Sequence, residues 1–229
     1  MTRDRRFAVP FDPTHFARRV ASGEHVTPLD AFRHAYAAQH WEGAESPSGP
    51  GSSLDQTAVI RREIPRLLSR LGARTLLDVP CGDFHWLSTV DLGDVRYTGG
   101  DLLPEIVRAN EQRHASPHRQ FREIDLLAAS LPAADVLLCR DCLVHLSFAD
   151  IARAVRNIAS SPITWLLTTT FPAQAVNEDI TTGDWRPLDF TKAPFHWPAP
   201  EALIVEECTE GNGAFADKSL ALWKARLLP

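Results

Sequence analysis

The chain has 229 residues, 44% hydrophobic and 23% charged, with a formal net charge of −5. The composition is ordinary for a globular protein, and the length suits one large domain or one domain with an extension. The mild acidity and the lack of a Lys/Arg block argue against a nucleic-acid partner, and no apolar run is long enough to span a bilayer.

The opening Met1–Phe7 is charged and has no apolar signal core, which predicts a cytoplasmic location. From Phe7 to Trp41, the residues Phe16, Val20, Phe32, Tyr36 and Trp41 recur at helical spacing, and Pro28 after Thr27 suits a helix N-terminus. Two short helices over the ligand edge of a sheet are expected; a scaffold away from any site is the alternative. Residues 45–53 are rich in Gly, Pro and Ser. They read either as a flexible linker or as an ordered loop in which Ser52 or Ser53 caps the next segment. That segment, Leu54–Leu71, repeats Ile60, Ile64, Leu67, Leu68 and Leu71 helically, and Gly72 stops it.

The rest alternates strand and helix. Strands are predicted at Thr75–Asp78, Val95–Gly100, Arg119–Ile124, Asp135–Cys139 and Ile163–Thr170, and helices at Leu103–Arg113 and Phe148–Ser160. Ala202–Cys208 and Ser219–Arg226 read as a closing strand pair. Such βα alternation implies a parallel sheet with helices on both faces. Cys81, Cys139, Cys142 and Cys208 make no metal pattern, since the C-x-x-C of Cys139 and Cys142 lacks a second pair; they read as small buried apolar residues.

The most informative stretch is Leu76-Leu-Asp78-Val-Pro80-Cys-Gly82-Asp-Phe84-His-Trp86. A buried strand ending on an acid and a compact turn is how a sheet of this kind meets a ligand. The next apolar run also ends on an acid, Asp101, 23 positions after Asp78, where a ribose-binding carboxylate is expected. The plain alternative is that both acids only end strands and cap helices. A third acid, Asp125, follows the third strand. The stretch Leu76–Gly82, with Asp101 and Asp125 in order, resembles the class I S-adenosylmethionine (SAM)-dependent methyltransferases. Pro80 and Phe84 stand where that family usually has glycine, which predicts a stiffer turn with Phe84 or Trp86 filling space. No G-x-G-x-x-G is present, so a nicotinamide cofactor fits poorly.

The resemblance implies a Rossmann-like α/β fold with a seven-stranded, mostly parallel sheet flanked by helices and a last antiparallel strand. It divides the chain into an N-terminal helical extension with a cofactor-covering loop (1–53) and a SAM-binding domain (54–229). It implies SAM contacts from Ser52, Ser53, Asp78, Pro80, Gly82, Trp86, Asp101, Leu102, Asp125, Leu126 and Arg140. The blocks ESPSGPGS, DVPCGDFHW, RDCLVHLS, TTTF and GDWRPL, between Trp41 and Trp223, resemble a bacterial subfamily. Some of its members act on sugars, among them the actinobacterial sugar 1-O-methyltransferases of methylmannose polysaccharide synthesis.

Two segments offer chemistry. Cys139–Ser147 follows the fourth strand, and Asp141 and His145, four apart, would share one side of a helical turn. His145 is the candidate general base, with Asp141 steadying its ring and a pKa near the ordinary histidine value of about 6.5; a core or capping histidine is the alternative. The polar, proline-punctuated stretch 171–198 is too long for a casual loop. It offers Asn177, Asp179, Asp184, Trp185 and Arg186 as an acceptor lining, with Phe195 and Trp197 as further platforms; a rigid surface loop is the alternative. Asp179, Asp184, Asp141 and His145 would also suit a Mg²⁺ ion. The expected activity is O-methylation of a sugar or other polar small molecule. N-methylation of a small amine and a catalytically inactive SAM-binding module are the rivals.

Overall fold

The computed structural model describes residues 9, 11–128 and 130–229. Seven strands form one sheet: β1 Thr75–Asp78, β2 Arg96–Asp101, β3 Arg119–Glu123, β4 Ala134–Cys139, β5 Ile163–Thr170, β6 Ala202–Val205 and β7 Ser219–Lys224, in the order β3-β2-β1-β4-β5-β7-β6. The first five are mutually parallel, and β7 runs antiparallel to both β5 and β6. The chain moves outward from β1 to β3 and returns beside β1 as β4. This reversal opens a crevice at the carboxyl ends of β1 and β4, where sheets of this kind take ligands.

The apolar sequence of β4 follows from burial on both faces. Val136 and Leu138 pack with Ile60, Ile64 and Leu67, whereas Leu137 and Cys139 pack with Ile151, Ala154 and Ile158. The two sets belong to helices on opposite sides, α3 (Ala58–Leu71) and α5 (Phe148–Ala159), while α4 (Pro104–His114) connects β2 and β3. Ser147 caps α5 by accepting from the Asp150 amide at 3.2 Å. Gly72 ends α3 in the left-handed region, φ +62°, where a side chain would be strained.

Helix α3 starts at Ala58 rather than Leu54. Residues 54–57 form turns, in which the Ser53 hydroxyl accepts from the Gln56 amide at 3.3 Å and the Thr57 hydroxyl donates to the Ser53 carbonyl at 2.7 Å. Ser53 thus starts a turn, not the helix. Strand β6 is also shorter than expected, because Glu207 takes φ +58° and breaks the extended run. The four cysteines are free and buried.

Ahead of the sheet lie α1 (His15–Ala21) and α2 (Pro28–Ala37). Thr27 and Asp30 make a reciprocal capping box, with Pro28 in the first turn. Phe16, Ala31 and Ala35 are fully buried, but Val20, expected on that apolar face, is 44% exposed. Helix α1 is fastened from its front. The Asp184 carboxylate accepts from the Phe16 and Ala17 amides at 2.7 and 3.0 Å, and a Cβ on Gly183 would lie 2.6 Å from the Phe16 ring. Among the described residues, no helix is long and apolar enough to cross a membrane.

Candidate functional site

A cavity of about 150 Å³ lies at the carboxyl ends of β1, β2 and β4. Ten of the eleven residues expected to hold the cofactor line it: Ser52, Asp78, Pro80, Gly82, Trp86, Asp101, Leu102, Asp125, Leu126 and Arg140. Ser53 does not. Phe32, Tyr36 and Trp41 close the cavity from the N-terminal side.

The floor is acidic and buried. Asp101 accepts from the Leu103 amide at 2.9 Å and the Gly82 amide at 3.1 Å, and burial pushes its carboxyl up to about 6. Asp78 accepts from the Tyr97 hydroxyl at 2.8 Å; burial, with a smaller contribution from neighbouring Asp101, pushes it up to about 7. No cation lies within ion-pair distance of either acid among the described residues. Asp125 accepts from the Leu127 amide at 2.8 Å.

The turn after β1 is held by the Gly/Ser loop. Asp83 accepts from the hydroxyls of Ser46 and Ser48 at 2.9 and 3.0 Å. Gly82 has φ +53°, and a Cβ there would lie 2.5 Å from the Ser48 hydroxyl oxygen. The loop is therefore tied to the turn, as the ordered reading expects. Phe84, at φ +58°, fills space behind the turn against Tyr97 and Phe121, with ring centroids 4.9 and 5.2 Å away. Trp86 faces the cavity under Arg140, whose guanidinium lies 5.6 Å from the ring centroid.

After β4 the expected Asp141–His145 pair does not form. Asp141 takes φ +49°, and Leu143–His145 form a 3-10 turn, so the two side chains go to different partners. Asp141 accepts from Lys218 Nζ at 2.7 Å and from Thr169 Oγ1 at 3.2 Å, and pairs with Arg140 at 3.2 Å. Burial opposes its ionisation, but Arg140 and Lys218 hold its carboxyl well below the usual range. His145 Nδ1 lies 2.9 Å from the Asp184 carbonyl oxygen. A carbonyl only accepts, so Nδ1 carries the proton and Nε2 the lone pair. Burial lowers His145 to about 4, well under the neutral-range value expected.

Arg140, buried, donates to Glu206 at 2.7 Å and to the Gly51 carbonyl at 2.8 Å. It thereby ties the Gly/Ser loop to the far end of β6.

The stretch after β5 was expected to supply acceptor contacts, and its polar groups do something else. Asn177 bonds the backbone of Asp189 and Ala193. Asp179 accepts from the Phe148 and Ile180 amides, at the start of α5. Asp184 fastens α1, as above. Arg186 is 2% exposed and donates to the carbonyls of Leu143, Leu146 and Glu178 at 3.0, 2.6 and 3.1 Å. None of these four lines the cavities described here. They are held by backbone groups because a long segment without regular ladders must satisfy its amides and carbonyls with side chains. The expected Mg²⁺ set is also dispersed, and no cluster of three or more metal-ligating side chains occurs among the described residues. Phe195 and Trp197 pack into the core around Phe190.

Trp185 alone of the five reaches a cavity. This second, smaller cavity of about 60 Å³ shares Trp41, Ser48, Asp141 and His145 with the first. Glu210, Phe215 and Lys218 also line it. Sequence reasoning missed these three, since no local pattern links residues so far from Asp141 and Trp185.

No protein-family model and no curated protein matches the sequence. Solved structures do match. One is the N-methyltransferase NodS from Bradyrhizobium japonicum in complex with S-adenosylhomocysteine (SAH): 16% identity, 87% of this chain, 98% of that one, TM-score 0.55. Another is the methyltransferase domain of bacterial CtHen1-C: 12% identity, 75% and 98% coverage, TM-score 0.55. A third is human N-acetylserotonin methyltransferase in complex with SAM: 12% identity, 92% and 65% coverage, TM-score 0.52. The fold is that of the class I methyltransferases. The chain spans as little as 42% of some other matched structures, and identities this low speak for the fold alone.

Asp101 is a buried carboxylate with no cation within ion-pair distance among the described residues, and burial raises its pKa. Two hydroxyl donors from a ribose would supply what the site is missing. Asp101, at the floor of this cavity, therefore fits a nucleoside cofactor.

Proposed function

We propose that the chain is a SAM-dependent methyltransferase acting on a hydroxyl of a sugar or comparable polar small molecule. The narrowest form of this reading, a methylated mannoside of polysaccharide synthesis, draws on the sequence blocks alone. The observation that supports hydroxyl transfer is His145. It lines both cavities, and its Nδ1 is committed to the Asp184 carbonyl, which leaves Nε2 as an acceptor.

Bound in the first cavity, SAM would supply an electrophilic methyl group. Asp101 would hold the ribose hydroxyls, with Asp125 and Leu126 beside the base. Trp41, Tyr36 and Phe32 would exclude water. His145 Nε2 would take the proton of an acceptor hydroxyl, which an alcohol must lose as its oxygen is methylated. With a pKa of about 4 in the free protein, His145 is neutral throughout the neutral range. Turnover at saturating SAM should then hold constant on acidification until well below pH 6, rather than fall through the ordinary histidine value.

The same low basicity favours a second reading. A neutral amine needs no base to accept a methyl group, and Glu210, a second-cavity carboxylate with no ion pair among the described residues, is available to the resulting cation. His145→Ala separates the two. Turnover of SAM to SAH, measured over a panel of sugars and amines, should fall by roughly 10²–10⁴ for a hydroxyl acceptor, while SAH binding by calorimetry stays constant. Retention of most of kcat would sink the base assignment and favour the amine.

A further inference from the structure

The second cavity has a polar end with an unusual charge arrangement. Three charged atoms converge on Gly51: a methyl group placed there would lie 3.1 Å from Lys218 Nζ, 3.2 Å from Glu210 Oε2 and 3.4 Å from Asp141 Oδ2. Behind them, Lys218 pairs with Asp141 at 2.7 Å and Arg140 with Glu206 at 2.7 Å. Glu210 is the carboxylate left over. It makes no ion pair among the described residues, and its one hydrogen bond comes from the Cys208 thiol at 3.5 Å, a weak donor.

Lys218 also has capacity to spare. An ammonium offers three N–H donors, and the hydrogen bond to Asp141 uses one. An acceptor oxygen and unused donors thus sit side by side at one end of the cavity. The lining also has an aromatic part: Trp185 stands edge-on to Phe215 at 5.1 Å and to Phe171 at 6.1 Å between centroids. The neck to the first cavity is formed by residues common to both, His145, Asp141 and Trp41.

We propose that this second cavity is the acceptor subsite and that it selects an uncharged ring bearing adjacent hydroxyls. One hydroxyl donates to Glu210, its neighbour accepts from Lys218, and the C–H face of the ring lies against Trp185. A vicinal diol supplies one donor and one acceptor on neighbouring atoms, to suit an oxygen and an ammonium that lie 3.2 and 3.1 Å from one point at Gly51. The surplus negative charge disfavours an acidic ring, because a carboxylate brought beside Glu210 would add like charge. Gly51 is part of the recognition, since any side chain there would occupy the space between the three charged atoms. The proposal deepens the methyl-transfer reading and rests on it.

Calorimetry on the full chain tests both. SAH is titrated first, and its failure to bind would overturn the methyl-transfer reading itself. The SAH-saturated protein then meets the methyl glycosides of glucose, mannose and galactose, D-glucuronate, and cyclohexanol. At least one neutral glycoside should bind, with D-glucuronate at least tenfold weaker and cyclohexanol weaker still. Glu210→Gln should weaken the glycoside about tenfold and narrow the discrimination against glucuronate. Gly51→Ala should abolish glycoside binding with SAH affinity retained. SAH binding with no neutral glycoside bound, glucuronate equal to the neutral sugars, or unchanged glycoside affinity in both variants would each overturn the acceptor assignment and leave the cofactor reading standing.

Discussion

The floor of the first cavity and the stretch after β5 are equally rich in polar side chains, yet they put them to opposite uses. On the floor, Asp78 and Asp101 are buried without cations and open onto a cavity. After β5, Asn177, Asp179, Asp184 and Arg186 are spent on backbone amides and carbonyls. A polar residue in a loop is therefore not evidence of a ligand. What distinguishes the two regions is access: Asp78 and Asp101 are buried charges that face a cavity, whereas the four after β5 line neither cavity and are enclosed by backbone groups. Substitutions should separate the regions cleanly, the second costing stability and the first costing affinity.

The largest effect on the scaffold side should come from Arg186→Ala. It removes the shared donor of the Leu143, Leu146 and Glu178 carbonyls, the first two in buried contacts, and hydrogen bonds to charged groups are worth roughly 1.5–3 kcal/mol each. A loss of more than about 3 kcal/mol in denaturant unfolding is expected, with α5 and the 3-10 turn at His145 loosened together. If Arg186→Ala unfolds like the parent chain but loses acceptor binding, the comparison collapses and Arg186 returns to the site.

Asp101→Ala sharpens the other side. SAH affinity should drop by about ten- to a hundredfold, equivalent to roughly 1.5–3 kcal/mol. Unfolding free energy in the absence of ligand should change by less than in Arg186→Ala, since relief of an unbalanced buried carboxylate offsets the acceptor lost by the Gly82 and Leu103 amides. A variant that binds SAH normally in calorimetry would show that β2 does not deliver the ribose acid.

Much of this was legible in the sequence, and the reason is locality. The strand-ending acids Asp78, Asp101 and Asp125 announce themselves because a βα turn follows each strand directly, and ten of eleven cofactor candidates line one cavity. Helix α2 was legible through Thr27-Pro28, and α5 through its apolar spacing. What could not be read was pairing across the chain. Asp141 goes to Lys218, 77 residues away, and His145 to the backbone of Asp184, 39 away. The i, i+4 argument for Asp141 and His145 assumed a regular turn, and the positive φ of Asp141 removes it. Glu210 and Gly51 meet only because the β6–β7 connection folds over the Gly/Ser loop, and nothing in either segment names the other.

The smallest of these effects concerns pH, and it sets affinity and stability against each other in one region. Asp101 and Asp78 have folded-state values of about 6 and about 7, raised above the ordinary carboxylate by burial. Because the folded values lie above the unfolded ones, their contribution to the stability of the free protein is fully present below about pH 4. It is lost as pH rises through 6 to 7. Ligand hydroxyls reverse the preference at Asp101, since they donate to the ionised form and lower its pKa. Binding then expels a proton at mildly acidic pH, and SAH affinity should fall as pH drops below about 6, by at most tenfold per unit. Between pH 7 and pH 5 the free chain should become harder to unfold while SAH binds up to about tenfold more weakly. Asp101→Asn should flatten the affinity profile. Calorimetry in buffers of different ionisation enthalpy reads the expelled proton directly, and binding at pH 5.5 with no proton released would show that Asp101 is already ionised in the free protein.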